Sequence, residues 1–243
     1  MSGLRPFWRY YGGKWLAAPS YPPPRCETII EPFAGAAGYS LRYPDHNVIL
    51  VEKYPVIAEI WRWLIAASAA DVLAIPCVDV VDDLPADTPL GAKFLVGFHM
   101  NAATTRPRRR ISSGLLRQRV SGRDSGCGWS PTTRERVASQ VERIKHWRIV
   151  EGDYTRVANM YATWFIDPPY IGRAGGYYKY GSDTLNYGQL AAWCRRRTGQ
   201  VIVCEAGTAG WLPFQPHRVI KASTMNTTSG GWSHELIWTN NDR

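Results

Sequence analysis

Apolar runs that end in an acid alternate with helical stripes along most of this chain. Thr28-Ile-Ile-Glu-Pro-Phe33 has the pattern of a buried strand closing in a turn, and 36–42 is read as the start of the following helix. Asn47-Val-Ile-Leu-Val-Glu52 repeats the strand pattern. Over 55–70, Ile57, Ile60, Trp61, Leu64 and Ile65 recur at helical spacing, and Pro55 suits a first helical turn. The alternation breaks near residue 71. A stretch containing Pro and Asp (76–89) leads to a predicted helix at 91–100, then to an arginine-rich loop over 101–130. Ser130-Pro-Thr-Thr-Arg-Glu reads as the capped start of a helix running to about His146. Beyond it, strands are predicted at 148–151, 163–166, 201–205, 218–221 and 235–239, with a helix at 187–197. Gly230-Gly231 reads as a hairpin loop.

This order predicts an α/β protein built on a mostly parallel sheet. Residues 1–70 and 148–243 would form the sheet domain, and 71–147 an inserted, mainly helical, basic subdomain. The pattern leaves strand order open. Trp61, Trp63, Trp147, Trp193 and Trp238 are expected in the core or at its rim.

Composition narrows the class. No apolar run reaches the roughly 18 residues of a membrane span, and residues 1–11 lack the apolar stretch of a secretory signal. Cys26, Cys77, Cys127, Cys194 and Cys204 are scattered and odd in number, so free thiols are expected rather than disulfides or a zinc site. His99, His146, His217 and His234 show no ligand spacing. The net charge of +9 is local: residues 101–150 hold twelve Lys and Arg against three acids, and the rest of the chain holds seventeen of each. Such an excess fits a polyanion-binding surface. Asn101, Arg106, Arg108, Arg109, Arg110, Arg117, Arg119 and Arg123 are the candidate contacts.

The sharpest chemistry lies in Trp164-Phe-Ile-Asp167-Pro168-Pro169-Tyr170. An apolar strand ends in an acid, and two prolines then stiffen the turn. The Asp carboxylate and a proline carbonyl can face one target as paired acceptors, which matches the two donors of an exocyclic –NH2. Tyr170 would stack on the ring bearing that amine. A base inside a duplex must first leave the stack to be reached.

Upstream, Glu31-Pro-Phe-Ala-Gly35-Ala-Ala-Gly38 follows one predicted strand and precedes a predicted helix. Gly35 would let the backbone approach a ligand, and Gly38 would ease helix–strand packing. A dinucleotide is the alternative ligand for such a turn, although the spacing is not the G-x-G-x-x-G of dinucleotide sites. Glu52 is placed to hold two ribose hydroxyls. Asp153 follows the strand at 148–151. Glu31, Glu52, Asp153 and Asp167 therefore all fall at predicted strand ends, where a doubly wound sheet binds its ligands.

Tyr11-Gly-Gly-Lys14, Glu31 to Gly38, Gly152-Asp153-Tyr154 and Asp167 to Tyr170, in that order, resemble the Dam-like (D12 class, α-group) adenine-N6 DNA methyltransferases. The resemblance implies a Rossmann-like S-adenosylmethionine-dependent methyltransferase sheet and methyl transfer from S-adenosylmethionine to a flipped-out adenine. The inserted segment would recognise the target. Tyr11 and Lys14 would bind the cofactor, with Lys14 near its carboxylate or near the catalytic acid. Glu31, Phe33, Gly35 and Gly38 would line its methionine side, Glu52 would hold the ribose, and Asp153 with Tyr154 would flank its adenine. Tyr178 or Tyr180 would pack on cofactor or target. A monomer acting on DNA without metal or membrane, in a bacterial cytoplasm and bacterial or phage-encoded, is the implied setting. The small insertion suggests relaxed sequence specificity.

Two departures stand out: Glu52 occupies a position where the family often has Asp, and the insertion is short. Cytosine-N4 methylation is the nearest alternative, and Asp at residue 167, where cytosine enzymes more often carry Ser, favours adenine. A catalytically inactive DNA-binding protein of the same fold is the alternative from another class. The intact set of acids opposes it.

Overall fold

In a computed structural model of the chain, residues 3–101, 103–120, 128–207, 209–221 and 232–240 are described. The elements in chain order are β1 (Thr28–Glu31), β2 (Asn47–Glu52), α1 (Pro55–Ala66), α2 (Ala69–Ala74), α3 (Leu90–His99), α4 (Ser113–Val120) and α5 (Pro131–Val141). There follow β3 (Arg148–Glu151), β4 (Ala162–Ile166), α6 (Tyr187–Arg195), β5 (Gly199–Ala206), β6 (Gln215–Lys221) and β7 (Trp232–Thr239).

The strands form one seven-stranded sheet in the order β3-β2-β1-β4-β5-β7-β6. The first five pair in parallel, and β7 is antiparallel to both neighbours, so it alone runs backwards. The order is compatible with a Rossmann-like fold: 3-2-1-4-5 is its nucleotide-binding arrangement, with β1 and β4 flanking the switch point.

Successive side chains on a strand point to opposite faces, and both faces here are covered. Ile29, Phe165, Ile202 and Cys204 enter a core with Phe7, Trp8, Trp61, Phe98 and Val137. Ile30, Trp164, Ile166, Val201 and Val203 enter a second core with Leu190, Trp193 and Trp238. Trp61, Trp147, Trp193 and Trp238 are buried, and Trp63 packs partly buried against the first core. Residues from 71–147 share the first core with the N-terminal segment and α1: Phe98, Trp129 and Val141 lie in it with Phe7 and Trp61.

The structure differs from the pattern in three places. No regular helix forms over 36–42, where only a short 3-10 turn, Ser40–Arg42, is found. Gly35 and Ala37 have positive φ of 46° and 50°, which interrupts a helix before it can start. The expected helix over 55–70 is two helices. Ser68 accepts from the Asp71 N–H while the Asp71 carboxylate accepts from the Ser68 N–H, a capping box that starts α2. The expected loop over 101–130 contains α4, anchored by buried Leu115. The Gly230-Gly231 hairpin lies outside the described residues.

Candidate cofactor pocket and catalytic loop

In a parallel sheet every strand delivers its last residue to the same edge. Glu31 ends β1, Glu52 ends β2, Asp153 follows β3, and Asp167 follows β4. Above this edge lies a cavity enclosing about 930 Å³ including its mouth. Tyr11, Lys14, Glu31, Phe33, Gly35, Gly38, Glu52, Asp153, Tyr154 and Asp167 all line it, so every residue predicted to hold a cofactor meets there.

At one end Lys14 Nζ stands 2.9 Å from both oxygens of Asp167 and donates to the Gly12 carbonyl at 3.0 Å. Its hydrogen bond goes to Oδ2, and the buried Oδ1 has no hydrogen-bond partner among the described residues. Burial alone would lower the Lys14 pKa. The Asp167 carboxylate reverses that and holds the ammonium above the usual lysine value. Lys14 also sits 4.7 Å from the centre of the Tyr170 ring.

The remaining acids grip the loop that carries the glycines. Glu52 accepts from the Gly35 and Tyr54 N–H groups, each at 2.9 Å, fixing the glycine turn and the entry to α1 together. Glu31 is buried and accepts from Ser40 N–H at 2.7 Å. Burial pushes its carboxyl up to about 8 despite that bond. Gly35 lies against the Tyr10 ring, which a Cβ would meet at 3.2 Å. Gly38 does not serve helix–strand packing as expected: a Cβ there would lie 2.6 Å from the backbone nitrogen of Trp15, so it admits the Lys14–Trp15 turn. Phe33 stacks on Tyr154 at 5.4 Å, which puts it at the β3 edge with Asp153 rather than beside Lys14.

The segment following Asp167 roofs the cavity. Tyr178 and Tyr180 line it, as does Lys53, which reaches Asp153 at 3.5 Å and lies 5.1 Å from the Tyr180 ring centre. The Tyr178 hydroxyl donates to the Tyr11 carbonyl at 3.1 Å, over Gly12.

Of the tetrapeptide 167–170, Asp167 and Pro169 line the cavity, Pro168 is buried, and Tyr170 is half-buried. Tyr187 donates its hydroxyl to the Pro169 carbonyl. The Pro169 carbonyl is therefore already engaged. Tyr170 was expected to stack on a target ring. Its ring lies against Lys14, and its buried hydroxyl has no hydrogen-bond partner among the described residues.

A fifth acid, Glu205, was missed. It sits near the end of β5, fully buried, and accepts from Ile171 N–H at 3.3 Å, Ala206 N–H at 3.0 Å and the Trp211 indole at 2.8 Å. The signal was available, since 201–205 is an apolar run closing on an acid like the others. Tyr10 and Gly12 were also missed.

The predicted polyanion contacts do not converge in this way. Arg106, Arg108, Arg109, Arg110 and Arg117 are exposed, and Asn101 is half-buried. The Arg119 side chain and all of Arg123 lie outside the described residues. Arg109 pairs with Asp82, and residues 109–111 run beside 79–81, so the basic excess has acidic neighbours that its sequence position hides. Arg106 lies close enough to the cavity wall to lower the pKa of Tyr54, against a larger upward push from burial.

Elsewhere in the segment Arg143 pairs with Asp45 at 2.8 Å, and Arg134 and Lys145 bond backbone carbonyls. Arg136 donates to the Pro6 carbonyl. Burial, then the nearby charges of Arg5 and Arg9, lower its guanidinium to about 10. Arg5 and Arg9 thus extend the basic surface from the N-terminal side, which the sequence pattern did not single out. His99 is buried, bonds the Phe7 carbonyl at 3.0 Å, and is lowered to about 3 by burial, which suits a neutral structural role.

Among the described residues no helix is long and apolar enough to cross a membrane, and no cluster of His, Cys, Asp and Glu could hold a metal. No protein-family model and no curated protein matches the chain.

Proposed function

We propose that the chain is an S-adenosylmethionine-dependent DNA methyltransferase acting on the exocyclic amine of adenine. The observation that carries this reading is the convergence of Lys14, Glu31, Glu52, Asp153 and Asp167 on one cavity at the carboxyl edge of the sheet, with Asp167 Oδ1 ion-paired to Lys14 but accepting no hydrogen bond from the described residues.

The residues present fit the cofactor. Several carboxylates suit a ligand bearing a sulfonium and an ammonium, and Lys14 suits its carboxylate. Glu52, fixed by two N–H bonds, is placed to accept from ribose hydroxyls. The Phe33–Tyr154 stack and Asp153 provide an aromatic wall with an acceptor beside it for the adenine. Bound there, S-adenosylmethionine would supply an electrophilic methyl group.

The protein's share of the chemistry is electrostatic. An aromatic amine is a weak nucleophile because its lone pair is shared with the ring. The Asp167 carboxylate and the Pro168 carbonyl would accept its two hydrogens, localise that pair on nitrogen, and offset the positive charge that builds as the new bond forms. Lys14, 2.9 Å from both carboxylate oxygens, holds Asp167 aimed. The exposed arginines of 106–117, with Arg5 and Arg9, would meet the phosphates, and the segment from 71 to 147 would carry target recognition.

Incubating the protein with unmethylated DNA and methyl-labelled S-adenosylmethionine tests the reading. Label is expected in the DNA and not in protein or RNA. Binding of cofactor with no transfer to DNA would remove the DNA assignment, and no binding would remove the whole proposal.

A further inference from the structure

Two consecutive prolines offer no backbone N–H, so the turn after Asp167 cannot anchor itself by donating from residues 168 and 169. It must be held through its carbonyls or through later N–H groups. The structure supplies one bond of each kind. Tyr187, in the first turn of α6, donates its hydroxyl to the Pro169 carbonyl, and Ile171 N–H donates to Glu205 at 3.3 Å. These bonds lie on either side of Tyr170. Their partners are joined to each other: the Trp211 indole donates to Glu205 at 2.8 Å, and its ring centre is 5.5 Å from that of Tyr187. Neither Glu205 nor Tyr187 lines the cofactor cavity.

We propose that Glu205 and Tyr187 are positioning residues that clamp the Pro-Pro-Tyr loop, so that the Pro168 carbonyl stays aligned with the Asp167 carboxylate. This rests on the methyltransferase reading for its effect on rate, though not for its effect on the loop. A fully buried carboxylate needs its lone pairs filled. Ala206 and Trp211 fill part of that need from β5 and the segment that follows it, and the catalytic loop fills the rest. Tyr187 completes the arrangement by occupying the carbonyl of Pro169, which otherwise would compete with that of Pro168 for a substrate amine.

The test compares Tyr187→Phe, Glu205→Gln and Glu205→Leu in the full chain. Amide exchange at Tyr170 and Ile171 should accelerate about tenfold in Tyr187→Phe, with the sheet core unchanged. Unchanged exchange would overturn the clamp whether or not the protein methylates DNA. At saturating cofactor and DNA, single-turnover methyl transfer should fall about tenfold in Tyr187→Phe while cofactor affinity stays within about twofold. Glu205→Gln, which keeps an acceptor oxygen, should recover part of the rate lost in Glu205→Leu. Rates that match wild type, or rate losses that merely follow losses of melting temperature and cofactor affinity, would overturn the proposal. A wild-type protein that transfers no methyl would instead refute the enzymatic reading, and exchange would still decide the clamp.

Discussion

The cavity at the carboxyl edge of the sheet and the arginine segment are both marked out by sequence, and the structure treats them in opposite ways. The cavity gathers residues as far apart as Tyr11 and Tyr180. The arginine segment disperses residues that are neighbours in sequence: Arg109 turns to Asp82, Arg143 to Asp45, and Arg136 to the N-terminal segment. The difference is topological. Parallel strands must bring their carboxyl ends together, so a residue's position at a strand end already fixes where it goes. Surface charges have no such constraint, and their partners depend on loops that no periodicity encodes.

If the cavity is the chemical centre, the largest effect belongs to Asp167. Asp167→Ala should lower methyl transfer by on the order of 10³-fold while leaving DNA affinity within about threefold, measured by transfer assay and filter binding. Comparable loss of DNA binding would merge the two regions into one. A smaller but still local effect is expected at Gly12, whose φ is 70° and whose Cβ would lie 2.2 Å from the Tyr178 hydroxyl. Gly12→Ala should weaken cofactor binding about tenfold by calorimetry, because the roof over the cavity must shift. Unchanged affinity would show that the Tyr178 contact does not shape the site.

The arginine segment should respond in small, salt-dependent steps. Arg106→Ala should weaken DNA binding a few-fold and reduce the slope of log affinity against log salt by about one, with cofactor affinity unchanged. Arg109→Ala should do less, because Arg109 is already paired with Asp82, although that pair is exposed and weak. Equal effects would mean that the Asp82 pair does not sequester Arg109.

A separate effect, on stability rather than on binding or rate, is one of pH. Glu31 is held at about 8 in the fold against an ordinary 4.5, so the folded protein binds the extra proton between those values. Its burial therefore costs nothing below about pH 4.5, and the cost grows as pH rises towards 8. Relative to Glu31→Gln, wild-type stability should decline from pH 5 to pH 8 in thermal unfolding. A flat difference would mean that Glu31 is solvated.

The same contrast explains what was legible. Glu31, Glu52, Asp153 and Asp167 could be placed because each closes an apolar run, and Glu205 could have been. The 3-10 turn at Ser40–Arg42 could not, since it follows from Gly35 and Ala37 adopting positive φ within a tight loop. The pattern marks Tyr187 only as the start of a helix. Its bond to Pro169 joins positions 18 residues apart through a loop whose path the pattern does not give. Strand order, including the reversed β7, depends on pairings between distant segments. Arg5 and Arg9 lie far from Arg136 in sequence, and only the fold brings their charges near it.

The central claim is that the cavity delivers a methyl group to an adenine amine held by Asp167 and Pro168. Mass spectrometry of nucleosides from DNA treated with the purified protein and S-adenosylmethionine tests it most directly. N6-methyldeoxyadenosine in the wild-type digest and none with Asp167→Ala is the predicted result. N4-methyldeoxycytidine, or DNA left unmodified, would contradict it.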